Sequence, residues 1–123
     1  MASLNQIMDH LADVAIVDQG INGIWYYRKW SDGRAELWTR FSPTAKAGTS
    51  YNGLYYASYS VDGAFPFTFT QRPDVIGSCC SGTLGFLGDI TYTESGITAY
   101  EMYRAGAGNV GSALSVYVSG KWK

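Results

Sequence analysis

The sequence predicts an all-β domain, a sandwich or barrel of about eight short strands, preceded by one short N-terminal helix. Short runs of β-branched and aromatic residues are separated by turn signals roughly every 8–12 residues. The composition, with 15 glycines, 10 tyrosines and 15% charged residues, is typical of strands and tight turns. No long helical period follows Val14. A length of 123 residues allows one compact domain.

The N-terminal segment has the pattern of a short amphipathic helix. Ser3 and Gln6 fit a capping box, and four apolar residues follow the a and d positions of a heptad repeat: Leu4, Ile7, Leu11 and Val14. A lone helix of about a dozen residues is marginal in water, so this stripe needs a partner. Two partners remain open, namely the rest of its own domain and the same helix of other chains in a coiled-coil stub.

The chain between this helix and the first hairpin reads as extended. Gly20 and Gly23 flank Ile21-Asn22, a pattern that suits a tight joint between a stem and a head. We therefore divide the chain into an N-terminal helical stem and linker, residues 1–19, and a β-domain, residues 20–123.

The clearest element is a hairpin with predicted arms at Ile24–Trp30 and Arg34–Phe41. Asp32-Gly33 lies between the arms, and Asp-Gly between alternating apolar runs is a strong hairpin signal. The second arm divides into two faces: Ala35, Leu37, Thr39 and Phe41 on one, and Arg34, Glu36, Trp38 and Arg40 on the other. We expect the first face in the core and the second to carry charges that pair across strands or between chains.

The middle of the chain predicts a loop, a strand and a core segment. A polar loop at residues 42–53 ends in an Asn52-Gly53 turn, and Leu54–Val61 is a strand closed by an Asp62-Gly63 turn. Ala64–Thr70 reads as a returning strand whose core face is lined by Phe65, Phe67 and Phe69. Pro66 indicates an edge position for this strand.

The last part of the chain predicts four more strands and two glycine-rich loops. The strands are Asp74–Cys80, Asp89–Thr93, Ile97–Arg104 and Gly111–Ser119, and the loops are Ser81–Gly88 and Ala105–Val110. A turn at Glu94-Ser95-Gly96 joins the second of these strands to the third.

The residues do not assemble a catalytic or metal site. Gly106–Gly111 matches the dinucleotide fingerprint in letters, but strand residues follow it where a helix is required. His10 lies on the terminal helix, remote from the loops of the β-region, which argues against a Ser-His-Asp set. The adjacent Cys79 and Cys80 have no ligand spacing and are interpreted as ordinary thiols in a reducing compartment. We therefore expect no enzymatic activity, no cofactor and no metal.

Charge and hydropathy argue against two classes of partner. The formal charge of −1 gives no electrostatic case for nucleic acid or an anionic membrane. No apolar run approaches the roughly 20 residues of a membrane span, and no signal peptide is evident. What remains is a surface rich in Tyr, Ser, Gly and Asn, which suits recognition. The alternative is that the tyrosines fill half-buried strand faces.

The joint and hairpin, QGINGIWYYRKWSDGRAELW, followed by FPFTFTQRPDV and a terminal SGKW, resemble the C-terminal head domains of bacteriophage tail fibres and related receptor-binding proteins. The matching parts are Gly23–Trp38, Phe65–Phe69 and Pro73–Val75, a scaffold pattern without a catalytic motif. The resemblance implies a homotrimeric β-sandwich head of the virion tail, assembled in the bacterial cytoplasm. Such a head follows an upstream fibre or baseplate and binds a host-surface receptor, often a saccharide. A structural module of the tail or baseplate without receptor contact is the alternative.

The resemblance and a simple up-and-down strand order together predict the contact surfaces. That order places the Ser31–Arg34 turn, Asp62-Gly63, Ser81–Gly88 and Ala105–Val110 far from the stem, and residues 42–53 and Ser95-Gly96 near it. We predict that the receptor is contacted by Phe86, Leu87, Tyr103 and Asn109. We predict that the subunit interface is formed by Leu4, Ile7, Leu11 and Val14 of the stem together with Trp25, on the first strand after it.

Overall fold

A computed structural model describes residues 3–4, 14–41, 44–47, 49–81 and 85–123 of the chain. Ten strands are present in these residues, and from residue 14 onwards they contain no helix. In chain order the strands are β1 (Ile16–Asn22), β2 (Trp25–Trp30), β3 (Arg34–Phe41), β4 (Thr44–Ala47), β5 (Thr49–Tyr51), β6 (Leu54–Ala64), β7 (Asp74–Ser81), β8 (Gly85–Tyr92), β9 (Gly96–Arg104) and β10 (Gly108–Lys121). The predicted all-β class is confirmed, with two strands more than the eight or so expected.

The strands form two antiparallel sheets. Sheet A has the order β1-β2-β3-β10-β7, and β4 continues the register of β3 along the same side of β10. Sheet B has the order β5-β6-β9-β8. The long strand β10 is central to sheet A, since Val116 pairs with Thr39 on one side and with Gly77 on the other. The predicted antiparallel architecture is therefore present.

One core lies between the two sheets. The innermost side chains, each at most 1% exposed, come from both of them: Trp25, Leu37, Leu114 and Val118 from sheet A, and Tyr100 and Met102 from sheet B. Gly77 of β7 permits a close approach of the sheets, because a Cβ there would lie 2.7 Å from Leu87 Cδ2 and 2.8 Å from Ile90 Cδ1. Burial of this apolar surface is the main stabilising term of the fold.

Strands β2 and β3 form the predicted hairpin. Gly33 has a φ of +96°, the left-handed region that favours glycine, and its N–H donates to the Trp30 carbonyl at 3.1 Å. The Asp32 carboxylate accepts hydrogen bonds from the backbone N–H of Arg34 at 3.1 Å and from its Nε at 2.7 Å. The predicted division of β3 into faces is confirmed for Arg34–Arg40, with Ala35, Leu37 and Thr39 buried, Glu36 and Trp38 half-buried, and Arg34 and Arg40 exposed; the side chain of Phe41 lies outside the described residues.

The Asp32 carboxylate makes the stability of this turn depend on pH. The hydrogen bond from the Arg34 backbone, assisted by its side chain, holds the pKa of Asp32 below the ordinary value of 3.8. A lowered folded-state pKa means that ionised Asp32 stabilises the fold above about pH 3.8, and that this contribution is lost as the pH falls through the folded value. We expect Asp32→Asn to be less stable than wild type at pH 7, and the difference to shrink at pH 3. Urea denaturation at both pH values measures it, and a difference independent of pH contradicts this explanation.

Residues 65–73 form a loop packed on the core, so the predicted strand Ala64–Thr70 is wrong. Pro66 cannot donate to a strand ladder. The backbone N–H groups of Phe65 and Phe69 donate instead to carbonyls of the turn between β8 and β9, at 2.8 and 3.0 Å. Phe65 and Phe69 pack edge to face with ring centroids 5.6 Å apart, and both are buried. Their predicted place in the core is confirmed, although no sheet holds them there.

The predicted turn at Asp62-Gly63 is absent, because β6 runs through both residues. The register between β6 and β9 shifts between Ser60 and Gly63, which marks a bulge. Gly63 is needed for a close approach to the neighbouring strand, since a Cβ there would lie 2.7 Å from the Ile97 carbonyl oxygen. The glycine therefore allows close strand packing and does not reverse the chain.

The region predicted as a polar loop, residues 42–53, contains two short strands, β4 and β5. The first pairs with the start of β10 and the second with β6. Both strands consist mainly of small and polar residues, which do not give the alternation of large apolar residues that identifies a strand. The Asn52-Gly53 turn is confirmed, with φ values of +49° and +83° that match a tight hairpin turn.

The end of the sandwich at which the chain begins β1 is called the proximal end. The Ala15 carbonyl accepts a hydrogen bond from the N–H of Ser31 at 2.8 Å, and Trp122 N–H donates to the Gly33 carbonyl at 2.9 Å. The Ser31–Arg34 turn therefore lies at the proximal end, and its predicted place far from the stem is wrong. The turn between β8 and β9 also lies at the proximal end. It accepts hydrogen bonds from the backbone of the 65–73 loop, and in the same loop the N–H of Thr70 donates to the carbonyl of Lys121, at the proximal end of β10.

The opposite end is called the distal end. Strand β10 connects the two ends of the sandwich. It begins at the distal end with Gly108 and finishes at the proximal end with Lys121, which pairs with Arg34. Arg104, which closes β9 nearby, pairs with both Tyr55 and Gly85. Residues 105–107 and the start of β8 are thus distal as predicted, while the Asn52-Gly53 turn is distal instead of near the stem. The early turns differ from the prediction because β1 adds a strand before β2, and the later ones agree because residues 65–73 are a loop and not the predicted strand.

The predicted helical stem falls largely outside the described residues. Leu4 is described and is 73% exposed, and Val14 is half-buried, whereas Ile7 and Leu11 are not described. The helix and its coiled coil therefore stay predictions. Strand β1 pairs with β2 from Ile16 onwards, so part of the predicted linker is sheet. The described residues include no helix with the length and hydropathy that crossing a membrane requires.

Candidate functional site

Three aromatic rings from neighbouring strands form a continuous surface on the outer face of sheet B, near the distal end. Phe86 of β8 pairs with Tyr103 of β9, which pairs with Tyr56 of β6. The rings of Phe86 and Tyr103 are parallel within 14°, with centroids 5.7 Å apart. The rings of Tyr103 and Tyr56 are tilted by 36°, with centroids 5.8 Å apart. We call Tyr56, Tyr103 and Phe86 the aromatic strip.

Two neighbours fix the central ring of the aromatic strip. The Tyr103 hydroxyl donates to Glu101 Oε2 at 2.9 Å, from two residues earlier on the same face of β9. Gly88 of β8 leaves the space that the Tyr103 ring occupies, because a Cβ there would overlap Cε2 of the ring. Tyr103 is therefore oriented by a hydrogen bond at its tip and by a missing side chain beneath its ring.

The aromatic strip is accessible from solvent. Phe86 is 48% exposed, and Tyr56 and Tyr103 are half-buried. Rings held on strands present apolar area with little conformational entropy left to lose, while the phenols and Glu101 supply hydrogen-bonding groups beside them. This combination suits a ligand that has both an apolar face and hydroxyl groups. Within the described ranges, no three metal-ligating side chains are grouped closely enough to hold an ion.

The structure brings together two of the four residues predicted to contact a receptor. Phe86 and Tyr103 adjoin in the aromatic strip. Leu87 alternates to the other face of β8, where it packs half-buried against the core and apart from the aromatic strip, so its receptor contact stays a prediction. Asn109 belongs to β10, where it pairs with Lys46, and its side chain lies outside the described residues. Both Phe86 and Leu87 lie in a strand and not in the predicted loop.

Tyr56 is the member of the aromatic strip that the sequence prediction missed. The alternation of β6 assigns Tyr55, Ala57 and Tyr59 to one face and thereby leaves Tyr56 on the other. That signal was available in the sequence. The pairing of Tyr56 with Tyr103 was not, because it joins strands almost fifty residues apart.

Trp25 does not offer a surface to a second subunit, contrary to the prediction. Its side chain is 1% exposed and packs edge to face on Phe65, with ring centroids 5.2 Å apart. Trp25 is therefore a core residue of its own chain. Alternation along β2 makes Tyr26 the ring that points outward, and Tyr26 is 47% exposed.

Sheet A carries a second exposed apolar surface on its outer face. One residue from each of five neighbouring strands lies in direct register, namely Ile21, Tyr26, Trp38, Tyr117 and Ile76. Trp38 is half-buried, and the other four are between 39% and 66% exposed. We call these five residues the outer row.

The charges beside the outer row are paired within the sheet. Arg28 Nη1 lies 3.5 Å from Glu36 Oε1, in the cross-strand arrangement that the sequence predicted. The Tyr117 hydroxyl donates to the other Glu36 oxygen, and this hydrogen bond raises the pKa of the Tyr117 phenol. The rings of Tyr26 and Trp38 are parallel within 9°, with centroids 5.9 Å apart. A groove of about 390 Å³ runs beside them, bordered by Arg40.

Comparison with known proteins identifies the fold. No family model and no curated protein matches the chain. A solved structure of the P. aeruginosa R1 pyocin fibre, comprising its C-terminal residues 323–701, superposes with a TM-score of 0.55 at 14% identity. The chain has the fold of a C-terminal tail-fibre fragment. The match covers 98% of this chain and 32% of that one, so the chain spans about a third of the fibre fragment.

A second solved structure supports the same fold. An N-truncated R1-type pyocin tail fibre superposes with a TM-score of 0.51 at 11% identity, and the match covers 98% of both chains. The resemblance to tail-fibre C-terminal domains that the sequence indicated is confirmed at the level of the fold. At this identity the likeness concerns backbone architecture, and the site must be argued from its own residues.

Proposed function

We propose that the chain is the receptor-binding head of a phage tail fibre and that it binds a host-surface saccharide through the aromatic strip. The observation that carries the proposal is the pair of near-parallel rings of Phe86 and Tyr103, exposed near the distal end of a fold shared with tail-fibre C-terminal fragments. An upstream fibre would join at the proximal end, where β1 begins. The aromatic strip would then lie on the side of the head, near the end remote from the virion.

The chemistry of the aromatic strip supports a saccharide more than a charged ligand. A pyranose ring presents an apolar C–H face that packs on an aromatic ring, and hydroxyl groups at its edge. Phe86 and Tyr103 supply the rings, while Glu101 and the phenol of Tyr56 supply acceptors and donors at the border. The proposal involves no catalytic step, cofactor, nucleic acid or membrane insertion. The head acts at the virion tail after assembly in the bacterial cytoplasm.

We infer in addition that the head is a homotrimer held by the N-terminal stem, through the apolar stripe Leu4, Ile7, Leu11 and Val14. The 73% exposure of Leu4 supports this, since a Leu4 side chain packed on its own domain would be covered. Three heads joined to one fibre would raise a weak affinity for a saccharide by avidity. An oligomer of any kind would serve the same purpose.

Binding of the fluorescently labelled chain to intact cells of a panel of bacterial strains tests the proposed function. Periodate oxidation of the cell surface and protease treatment provide two matched samples of each strain. We expect saturable binding to some strains that periodate abolishes and protease does not. Loss with protease alone indicates a protein receptor. Absence of binding to every strain by a folded chain contradicts receptor binding and favours a structural module of the tail or baseplate.

A further inference from the structure

We propose that the outer row is the surface through which one copy of this chain packs against another, which leaves the aromatic strip uncovered for the host. The inference rests on the proposed function, because it takes the head to be an assembly. The inference identifies the face of the β-domain that contacts another copy, which an interaction between the stems alone does not specify.

Exposed apolar residues are distributed unevenly between the two sheets. In sheet A, the outer row exposes Ile21, Tyr26, Tyr117 and Ile76. In the part of sheet B that the structure describes, Phe86 is the one large apolar residue with a comparable exposed fraction, 48%. Large apolar patches on a soluble protein mark surfaces that are covered by a partner. The two outer faces therefore have different roles.

The size of the outer row favours a flat partner over the chain's own N-terminal segment. Five strands spaced by about 4.8 Å give a row about 19 Å wide. A helix with its side chains is about 10–12 Å across, so it would cover little more than half of this width if it lay along the strands, and less than half of the roughly 26 Å strand length if it lay across them. Leu4, where the apolar stripe of that segment begins, is 73% exposed and is not docked on the sheet. A sheet face of a second copy matches the width.

Strand β1 extends the apolar surface towards the proximal end. All seven of its residues are exposed, including Ile16 at 45% and Val17 at 54%. The outer face of sheet A, roughly 19 Å by 26 Å for five strands of about eight residues with β1 included, gives on the order of 500 Å² before side-chain relief is counted. A stable interface buries about 800 Å² on each partner. The outer face of sheet A therefore offers an area of the right order.

The charges and composition of the face are compatible with burial. Glu36 is already matched by Arg28 and by the Tyr117 hydroxyl, so covering the outer row would not strand an isolated carboxylate. Tyrosine, tryptophan and arginine are the residues enriched in interface cores. Arg40, exposed at the border of the groove with its Nε near Ser115 Oγ at 3.3 Å, would lie at the rim.

The molecular mass of the full chain in solution, measured by light scattering across a concentration series, tests this inference. Ile76→Arg places a charge at a position that is 66% exposed in the single chain, so it disturbs the assembly and not the fold. Tyr26→Arg is a second variant of the outer row. Phe86→Arg, at a 48% exposed position of sheet B, is the matched control, and circular dichroism verifies folding of each.

We expect the wild-type chain to associate, and Ile76→Arg and Tyr26→Arg to weaken association at least tenfold. Phe86→Arg should associate within twofold of wild type. Three results would overturn the inference. They are a monomeric wild-type chain, association that neither outer-row variant weakens, and a loss of association that occurs only in Phe86→Arg. Binding to cells separates this outcome from failure of the proposed function. Ile76→Arg should still bind to host cells at a saturating concentration of the protein. Loss of cell binding by Phe86→Arg would bear on the aromatic strip as the receptor contact and not on the outer row.

Discussion

Replacing Trp25 by alanine is expected to lower the free energy of unfolding by about 3–5 kcal/mol, the range for deletion of a large buried aromatic side chain. Trp25 is 1% exposed and lies where sheet A meets the 65–73 loop, with its ring against Phe65. The substitution removes that contact and leaves a cavity which the surrounding strands cannot fill. Guanidinium denaturation at a fixed protein concentration measures the change.

Two further variants show whether the loss comes from the buried ring. Trp25→Phe retains an aromatic ring in the same place and should cost clearly less than Trp25→Ala. Phe86→Ala, at a 48% exposed position, should cost about 1 kcal/mol, close to the value of one aromatic pair. A Trp25→Ala variant as stable as Phe86→Ala contradicts the central place of Trp25 in the core.

Gly88→Ala is expected to weaken binding to host cells at least tenfold, or about 1.4 kcal/mol, while the chain remains folded. The new methyl group would occupy the space of the Tyr103 ring, which must then rotate away from Phe86 and from its hydrogen bond to Glu101. Gly88 does not have a positive φ, so alanine adds no backbone strain there. The expected effect is therefore local to the aromatic strip.

Gly106→Ala is the matched control for this prediction. Gly106 is an exposed distal glycine, and a Cβ there meets no atom within 4 Å. Its variant should bind cells as the wild type does. Equal binding by the Gly88 and Gly106 variants, measured on the same strain, would mean that the orientation of Tyr103 does not matter for the receptor.

The parts of the fold that the sequence predicted well depend on local chemistry. The β2–β3 hairpin follows from Asp32-Gly33 and from alternation, both of which act within about ten residues. The Asn52-Gly53 turn is of the same kind, since two residues with positive φ are most easily supplied by Asn and Gly. The core face of β3 follows from the two-residue period of a strand. None of these features needs knowledge of a distant segment.

The parts that failed depend on pairing between distant segments. Strand β1 pairs antiparallel with β2, so β2 runs back to the proximal end, and the Ser31–Arg34 turn lies there instead of at the predicted far end. Strand β10, the last of the chain, lies between β3 and β7. Phe65 and Phe69 alternate as in a strand, but hydrogen bonds to a distant turn hold them in a loop. An alternating apolar pattern thus predicts which side chains are buried better than it predicts whether they lie in a strand or in a loop.

The candidate site was predictable in part for the same reason. Phe86, Leu87 and Tyr103 are predicted from their positions in or beside the distal glycine-rich segments, and Phe86 and Tyr103 belong to the aromatic strip. Leu87 faces the core because adjacent residues of a strand point to opposite sides. Recognising β8 as a strand from Gly85 onwards would have separated the two residues.

Cell binding by Phe86→Ala, compared with Ser60→Ala, tests whether the aromatic strip is the receptor contact. Ser60 is exposed on β6 in sheet B and pairs with Ala99, four residues along its strand from Tyr56. We predict that Phe86→Ala lowers the affinity for susceptible cells at least tenfold, while Ser60→Ala binds as the wild type does. Equal binding of both folded variants would contradict receptor binding through the aromatic strip.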